Sequence, residues 1–567
     1  MTVAQPSAVQ LVSLPVWIPG SYLVREFSKN MQGLSAHQGR ASVAALQLDK
    51  CSWKINCSPS KALVLRYQIY AHDNSVRTAW LDAARGFFNG TSVCLKVQGQ
   101  EAAAHTLEVV EPEAPTNWHL ATGLPALKIN KRGFGTYMAA NYDELVDCPA
   151  EMGAFWSGTF TAGGVPHRFV VAGALPGFDG EKLLADTQKI CDEEIRFWHG
   201  KTSAKNKPPF TSYFFMLNAV DDGYGGLEHR NSTALICSRR DLPRLDASKA
   251  SEPKVPEGYT TLRGLISHEY FHTWNVKRLR PAEFANYNYH QENYTELLWF
   301  FEGFTSYYDD LLVRRAGLLD NAGYLKLLNK TINQVMQTPG TRVQSVAEAS
   351  FDAWVKYYRQ DENTPNATVS YYTKGALVAL CFDLTLRHEG HTTLDDVMRG
   401  VWVRCKAGPM LEADFAAVLQ CLGKRPFDEE LKSWVHGKTD LPLRTLLAQH
   451  GVDVHDDPAQ LAQRLGLRVG EANGVVVKTV LSGGAAQKAG FAAGDEWLGI
   501  EATKQQHGWR MQRLDDLLLY AGTAKKVTAL VSRDKRLVRL ELVIPAAAIT
   551  WRLSIKDVVK VQAWLVN

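Results

Sequence analysis

The stretch SHEYFHTWNVKRLRP, residues 267–281, sets two histidines four apart with a glutamate directly after the first. On an α-helix, residues four apart share a face about 6 Å apart along the axis, so His268 and His272 would aim two imidazoles at one point. Glu269 then lies beside that point. Two neutral imidazoles at this spacing bind zinc, and the glutamate takes a proton from water that the ion activates. The plain alternative is a buried helix carrying two incidental histidines, because so short a pattern also arises by chance.

Zinc that does chemistry takes a third protein ligand and keeps one position open. The nearest downstream glutamates are Glu292, Glu296 and Glu302, and only Glu302 is followed by glycine in an aromatic-rich segment, LLWFFEGFTSYY, residues 297–308. Gly303 would let a second helix approach closely, and the aromatic residues would build a dry wall. Glu302 is the expected ligand, with Glu296 as its main rival.

The rest of the chain bounds what such a site could belong to. With 567 residues, about three or four domains are expected, and 46% apolar with 22% charged residues is the balance of an ordinary soluble protein. A formal charge of +4 gives no sustained basic field, and the runs Lys277–Arg280 and Arg533–Arg536 are short, which argues against nucleic acid as a partner. No apolar stretch reaches the roughly 18–20 residues of a membrane span. The N-terminal MTVAQPSAVQLVSLPVWIPG lacks a basic start and a continuous apolar segment, and the nine cysteines are scattered singly; together these fit a reducing cytoplasm. There is no GxSxG nucleophile turn.

Residues 1–165 alternate in short strand-like runs such as ALVLRYQIYAH and HTLEVVEP, and read as an all-β domain. From PHRFVVAGAL onward, strands (SYFFMLNAV, STALICS) alternate with one amphipathic helix, DGEKLLADTQKICDEEIRFWHG, before the histidine segment. This gives an α+β domain over 166–320. Helical spacing dominates 321–448, as in KGALVALCFDLTLRHEG. A β-rich module is expected over 449–550, followed by a tail at 551–567.

Further elements make the resemblance specific. HExxH with a distant glutamate in an EGFTxYY helix resembles the gluzincin metallopeptidases, of which aminopeptidase N is the best known. GYGGLEHRNST, 223–233, is similar to the Gly-x-Met-Glu-Asn loop that holds a substrate amine, and YYTKG, 371–375, to the Tyr-x-Lys-Gly element that supplies a catalytic tyrosine. Leu227 and His229 depart from Met and Asn, and the gap from His272 to Glu302 is longer than in aminopeptidase N. Those departures, with HEYFHTWNVKRLRP, the early PVWIPGSYLVREF and a terminal PDZ-like module, look like the glycyl aminopeptidase family of zinc metallopeptidases. The resemblance implies a multidomain architecture: a β N-terminal domain, a thermolysin-like α+β catalytic domain, a helical extension and a PDZ-like domain.

It also implies roles. One zinc ion per chain would be held by His268, His272 and Glu302, with Glu269 as general base. Tyr372 would steady the oxyanion, with Tyr371 as the fallback. Glu228 would pair with the substrate ammonium, Gly225 and Gly226 would allow close approach of the substrate backbone, and His229 would shape the pocket. Lys277, Arg278 and Arg280 read as a charged helix end facing solvent, and Trp299, Phe300, Phe301 and Phe304 as packing. In the PDZ-like segment, Leu465, Gly466 and Leu467 match the loop that receives a peptide C-terminus. Peptides with a free N-terminal Gly or Ala are the expected substrates. Two alternatives stay open: a zinc endopeptidase in which Glu228 takes no part, and a peptide-binding scaffold with a vestigial zinc site.

Overall fold

The computed structural model describes all residues except 114–116, 201–206, 246–254, 503–506 and 567. The chain divides into two compact units that interleave in sequence. The first comprises Met1–Tyr294, Tyr308–Leu319 and Met398–Asp414, and the second Thr295–Tyr307, Asp320–Val397 and Phe415–Asn567.

The first unit opens with short antiparallel strands in several small sheets, as the alternating pattern requires. One pairs Val9–Ser13 with Ser52–Asn56, another Met31–Gln38 with Leu63–Ile69. Between them lies a core built on Leu14, Trp53, Ile55, Leu65 and Phe87. A five-stranded sheet follows, in the order Trp156–Ala162, Val165–Ala172, Tyr213–Val220, Ser232–Ser238, Tyr224–Glu228. The three central strands run parallel and the strands at either side antiparallel to them. The sheet thus begins at Trp156, ahead of the expected boundary at 166, because Trp156–Ala162 pairs along its whole length with Val165–Ala172.

A parallel connection needs a crossover, supplied by the helix Gly180–His199. The Asp179 side chain caps that helix by accepting from Lys182 N–H, and it buries Leu183, Ile190, Ile195 and Trp198. Against it packs the helix Glu257–Phe271, whose low amphipathicity reflects burial on most sides.

The second unit is helical up to about residue 450. The helix Thr373–Glu389 is buried along nearly its whole length and ends at Gly390 in the left-handed conformation, where glycine carries no Cβ penalty. The aromatic segment 297–308, read as part of a helix carrying Glu302, instead spans two helices, Leu298–Phe301 and Gly303–Arg315, with Glu302 at the break. The helix Gly303–Arg315 is shared, its first five residues lying in the second unit and the rest in the first.

The β-rich module is present. Strands Leu467–Gly470, Val475–Val480, Glu496–Ala502, Lys526–Arg533 and Arg536–Val543 form one sheet in that spatial order. Its core holds Trp497, Leu517, Val527 and Val531. Two expectations fail here. Val452–Pro458, placed by sequence in this module, pairs instead with Ile549–Ile555 in a separate ribbon. Residues 551–567 are no tail, because after that strand the helix Val558–Val566 buries Val561, Trp564 and Leu565, and the Trp564 indole donates to the Tyr307 hydroxyl at 3.3 Å. No helix among the described residues is long and apolar enough to cross a membrane.

Candidate metal centre

His268 lies in the last turn of its helix and His272 caps the end. Their Nε2 atoms face each other at 3.0 Å. The His272 Nδ1 bonds to the Asn275 carbonyl oxygen at 2.8 Å. A carbonyl only accepts, so the proton sits on Nδ1 and Nε2 is left as the acceptor. His268 Nδ1 meets Asp309 Oδ2 at 3.0 Å, which orients it likewise. Glu302 is 2% exposed, and one ligand atom from each of His268, His272 and Glu302 lies within 4.8 Å of the others. Two imidazoles and a carboxylate are the donor set of a zinc site with an open position. Glu296, the rival, is exposed.

The turn that presents the Asn275 carbonyl is strained. Val276 has φ +106°, a region a β-branched residue rarely enters, and a hydrogen bond from its N–H to the Leu279 carbonyl closes the loop. Strain of this kind gathers where function requires a set geometry.

Sequence reasoning missed Asp309, although it carried a signal: it lies seven residues after Glu302, two turns on along the same helix face. Behind it, Ser267 Oγ donates to Glu194 Oε1 at 2.8 Å and lies 2.9 Å from the Asp309 carbonyl. Burial pushes the Glu194 carboxyl well above the carboxylate range.

The strand Tyr224–Glu228 is the free edge of the five-stranded sheet. A Cβ at Gly226 would run into the Glu269 carboxylate, so the glycine is needed for that group to stand where it does. A Gly226→Ala substitution is expected to displace the Glu269 carboxylate with the fold retained, read by a crystal structure of the variant beside circular dichroism. Glu228 is 4% exposed, and its Oε1 is buried with no hydrogen-bond partner. Gly20, at φ +91°, lies so close that its Cβ would stand 2.5 Å from both carboxylate oxygens. The early WIPGSY stretch thereby backs the carboxylate.

His229 is 1% exposed and meets Asp147 at 3.2 Å. Lys277, expected in solvent, is buried instead, with Nζ 2.6 Å from Asp147. Arg278 donates to the carbonyls of Arg230, Thr273 and Pro209, and Arg280 to that of Lys277. The basic trio is internal scaffold, because the turn after the histidine helix folds inward and its carbonyls need donors. Burial alone would raise the Asp147 carboxyl, but the Lys277 ammonium and the hydrogen bond with His229 hold it well below the usual range. Lys277→Met would leave a buried charge uncompensated and is expected to cost about 3–5 kcal/mol, measured by chemical denaturation. The contribution of the Asp147 carboxylate is present above the unfolded carboxyl value near 4 and is lost as pH falls from there toward its depressed folded value.

Tyr371 is fully buried, while Tyr372 caps the helix Thr373–Glu389 and its hydroxyl lies 3.3 Å from that of Tyr358. Burial, and then the nearby Glu302 carboxylate, push the Tyr372 phenol well above its usual value. Gly303 does permit a close approach, but by the helix that follows Tyr372: a Cβ there would stand 2.5 Å from the Gly375 Cα. Trp299, Phe300, Phe301 and Phe304 are completely buried, and all but Phe301 meet Phe415 edge to face. In the β-rich module Leu465 and Leu467 point into the core, and Gly466 between them has φ +72°.

Comparison with known proteins bears on this arrangement. Residues 1–154 match the Peptidase M61 N-terminal domain, and residues 261–378 match the M61 glycyl aminopeptidase domain. No curated protein shows significant similarity. Among solved structures, an aminopeptidase N family protein from Idiomarina loihiensis is 36% identical, with a TM-score of 0.92 over 100% of this chain and 97% of that one. An M1 zinc metallopeptidase from Deinococcus radiodurans aligns at 15% identity and a TM-score of 0.45, over 78% of this chain and 90% of that one. Aminopeptidase A from Legionella pneumophila aligns at 12% and 0.46, over 97% of this chain and 55% of that one.

Proposed function

The chain belongs to the M61 glycyl aminopeptidase family of metallopeptidases, and from that membership we propose that it is a zinc aminopeptidase removing N-terminal residues, glycine and alanine by preference, from peptides. The observation that carries this reading is Glu228, a buried carboxylate with an unbonded oxygen at the end of a free sheet edge. A substrate ammonium is its natural complement, and an anchored amine places the first peptide bond for cleavage.

His268, His272 and Glu302 would hold one zinc ion per chain, which when bound would supply a Lewis acid and lower the pKa of water to near neutral pH. Glu269 takes the proton from the attacking water and passes it to the departing amine. Tyr372, kept protonated by its surroundings, donates a hydrogen bond to the oxyanion. Gly225 and Gly226 leave room for the substrate backbone, and His229 walls the amine subsite, where its Asp147 contact holds it. The preference for Gly and Ala follows from the family. The C-terminal module we read as PDZ-like. Its edge strand Leu467–Gly470 would accept an added strand, whereas the Gly466 N–H expected to meet a terminal carboxylate is instead bonded to the Gln463 carbonyl oxygen, because Leu465 ends a short helix that Gly466 caps.

The test is hydrolysis of Gly- and Ala-p-nitroanilide beside their N-acetylated forms, with zinc content measured on the same sample. Cleavage of the free-amine compounds alone, abolished by a chelator and restored by zinc at one ion per chain, is the expected result. Cleavage of acetylated peptides at internal bonds would convert the reading to an endopeptidase.

A further inference from the structure

Arg77 comes from the N-terminal β-rich part of the first unit, just ahead of the strand Ala79–Leu81. Its Nη2 donates to the Gly226 carbonyl oxygen at 3.1 Å. The terminal guanidinium nitrogens lie 3.8 and 3.9 Å from where a Cβ on Gly225 would stand.

Strand pairing fixes where that carbonyl points. The His229 N–H bonds to the Ser232 carbonyl. In an antiparallel ladder the bonded pairs alternate, so Leu227–Ala234 and Gly225–Ile236 exchange bonds, while Gly226 and Glu228 turn their peptide groups to the open side. Arg77 therefore stands on the free edge, where a peptide would lie as an added strand. Its Nε is buried with no hydrogen-bond partner, and among the described residues no carboxylate pairs with the guanidinium.

We propose that Arg77 receives the C-terminal carboxylate of a short peptide whose ammonium is held at Glu228, making dipeptides the preferred substrates; this rests on the aminopeptidase reading above. The spacing fits. A strand advances about 3.3 Å per residue, so the step from Glu228 to Gly226 covers roughly 7 Å. An extended dipeptide, at no more than about 3.6 Å per residue, spans the same distance from ammonium to carboxylate. Its single peptide bond then falls midway, alongside Leu227, with the Glu269 carboxylate one residue along at Gly226. A guanidinium fork is the group best shaped to hold a carboxylate at the far end, and a longer peptide would have to place an amide there instead.

The test compares Gly-Ala, its amide Gly-Ala-NH2 and Gly-p-nitroanilide on zinc-loaded wild-type, Arg77→Met and Arg77→Lys proteins. Wild-type kcat/KM is expected to favour the acid over the amide about 10- to 100-fold, chiefly through KM. That ratio falls to near one in Arg77→Met and to an intermediate value in Arg77→Lys. A wild-type ratio near one overturns the proposal. So does an Arg77→Met protein in which both rates fall and the ratio survives, as expected of a residue that only braces the edge strand. Gly-p-nitroanilide carries no carboxylate and reports on the aminopeptidase reading separately; no hydrolysis of any of the three by wild-type protein would overturn that reading, and the proposal with it.

Discussion

Replacing Glu269 by glutamine is expected to lower kcat/KM for Gly-p-nitroanilide by about 10²- to 10⁴-fold while zinc content is unchanged, a loss in the range of a removed general base. The side chain is 5% exposed and stands against Gly226. Glutamine keeps its volume and shape but cannot accept a proton from water. The proposed ligands His268, His272 and Glu302 are untouched by the change, so metal analysis separates lost chemistry from lost metal. A rate that falls only in step with zinc would assign Glu269 a structural part, and a rate that does not fall would remove it from the mechanism.

Replacing Glu228 by glutamine should be nearly as damaging, with an expected fall of about 10²- to 10³-fold in kcat/KM for free-amine substrates. The carboxylate is 4% exposed, with Gly20 pressed against both oxygens, so little water is at hand to replace the lost charge. Taking one partner from a buried ion pair costs about 3–5 kcal/mol, and the lower part of that range, about 3–4 kcal/mol, gives the factor. Steady-state kinetics on Gly- and Ala-p-nitroanilide reads it. Undiminished cleavage would mean that the amine is held elsewhere.

Local chemistry was legible in the sequence, and long-range placement was not. His268, Glu269 and His272 declare themselves because helix geometry alone brings i and i+4 together, and Glu302 stood out by its glycine and aromatic context. The β-rich beginning, the alternation of strand and helix, and the compact C-terminal module could all be read from hydrophobic periodicity. What escaped depended on partners distant in the chain. Nothing near Ile549–Ile555 says that it will pair with Val452–Pro458. Nothing near Arg77 says that its guanidinium will reach a carbonyl 149 residues away. Lys277 looked like a solvated charge because its counter-ion, Asp147, belongs to another part of the fold. Trp564 and Leu565 were an overlooked local cue, since a tail has no reason to carry two large apolar side chains together.

The contact between Gly303 and Gly375 has a bearing on how such a protein can change over generations. One glycine directly follows the metal-ligand candidate Glu302, the other lies three residues beyond Tyr372, and neither tolerates a methyl group against the other's backbone. An inherited change at either position would therefore displace Glu302 and Tyr372 at once, and with them the proposed grip on the ion and the proposed oxyanion contact. Selection cannot tune one against the other through this joint, and drift there is closed to any lineage that keeps its activity.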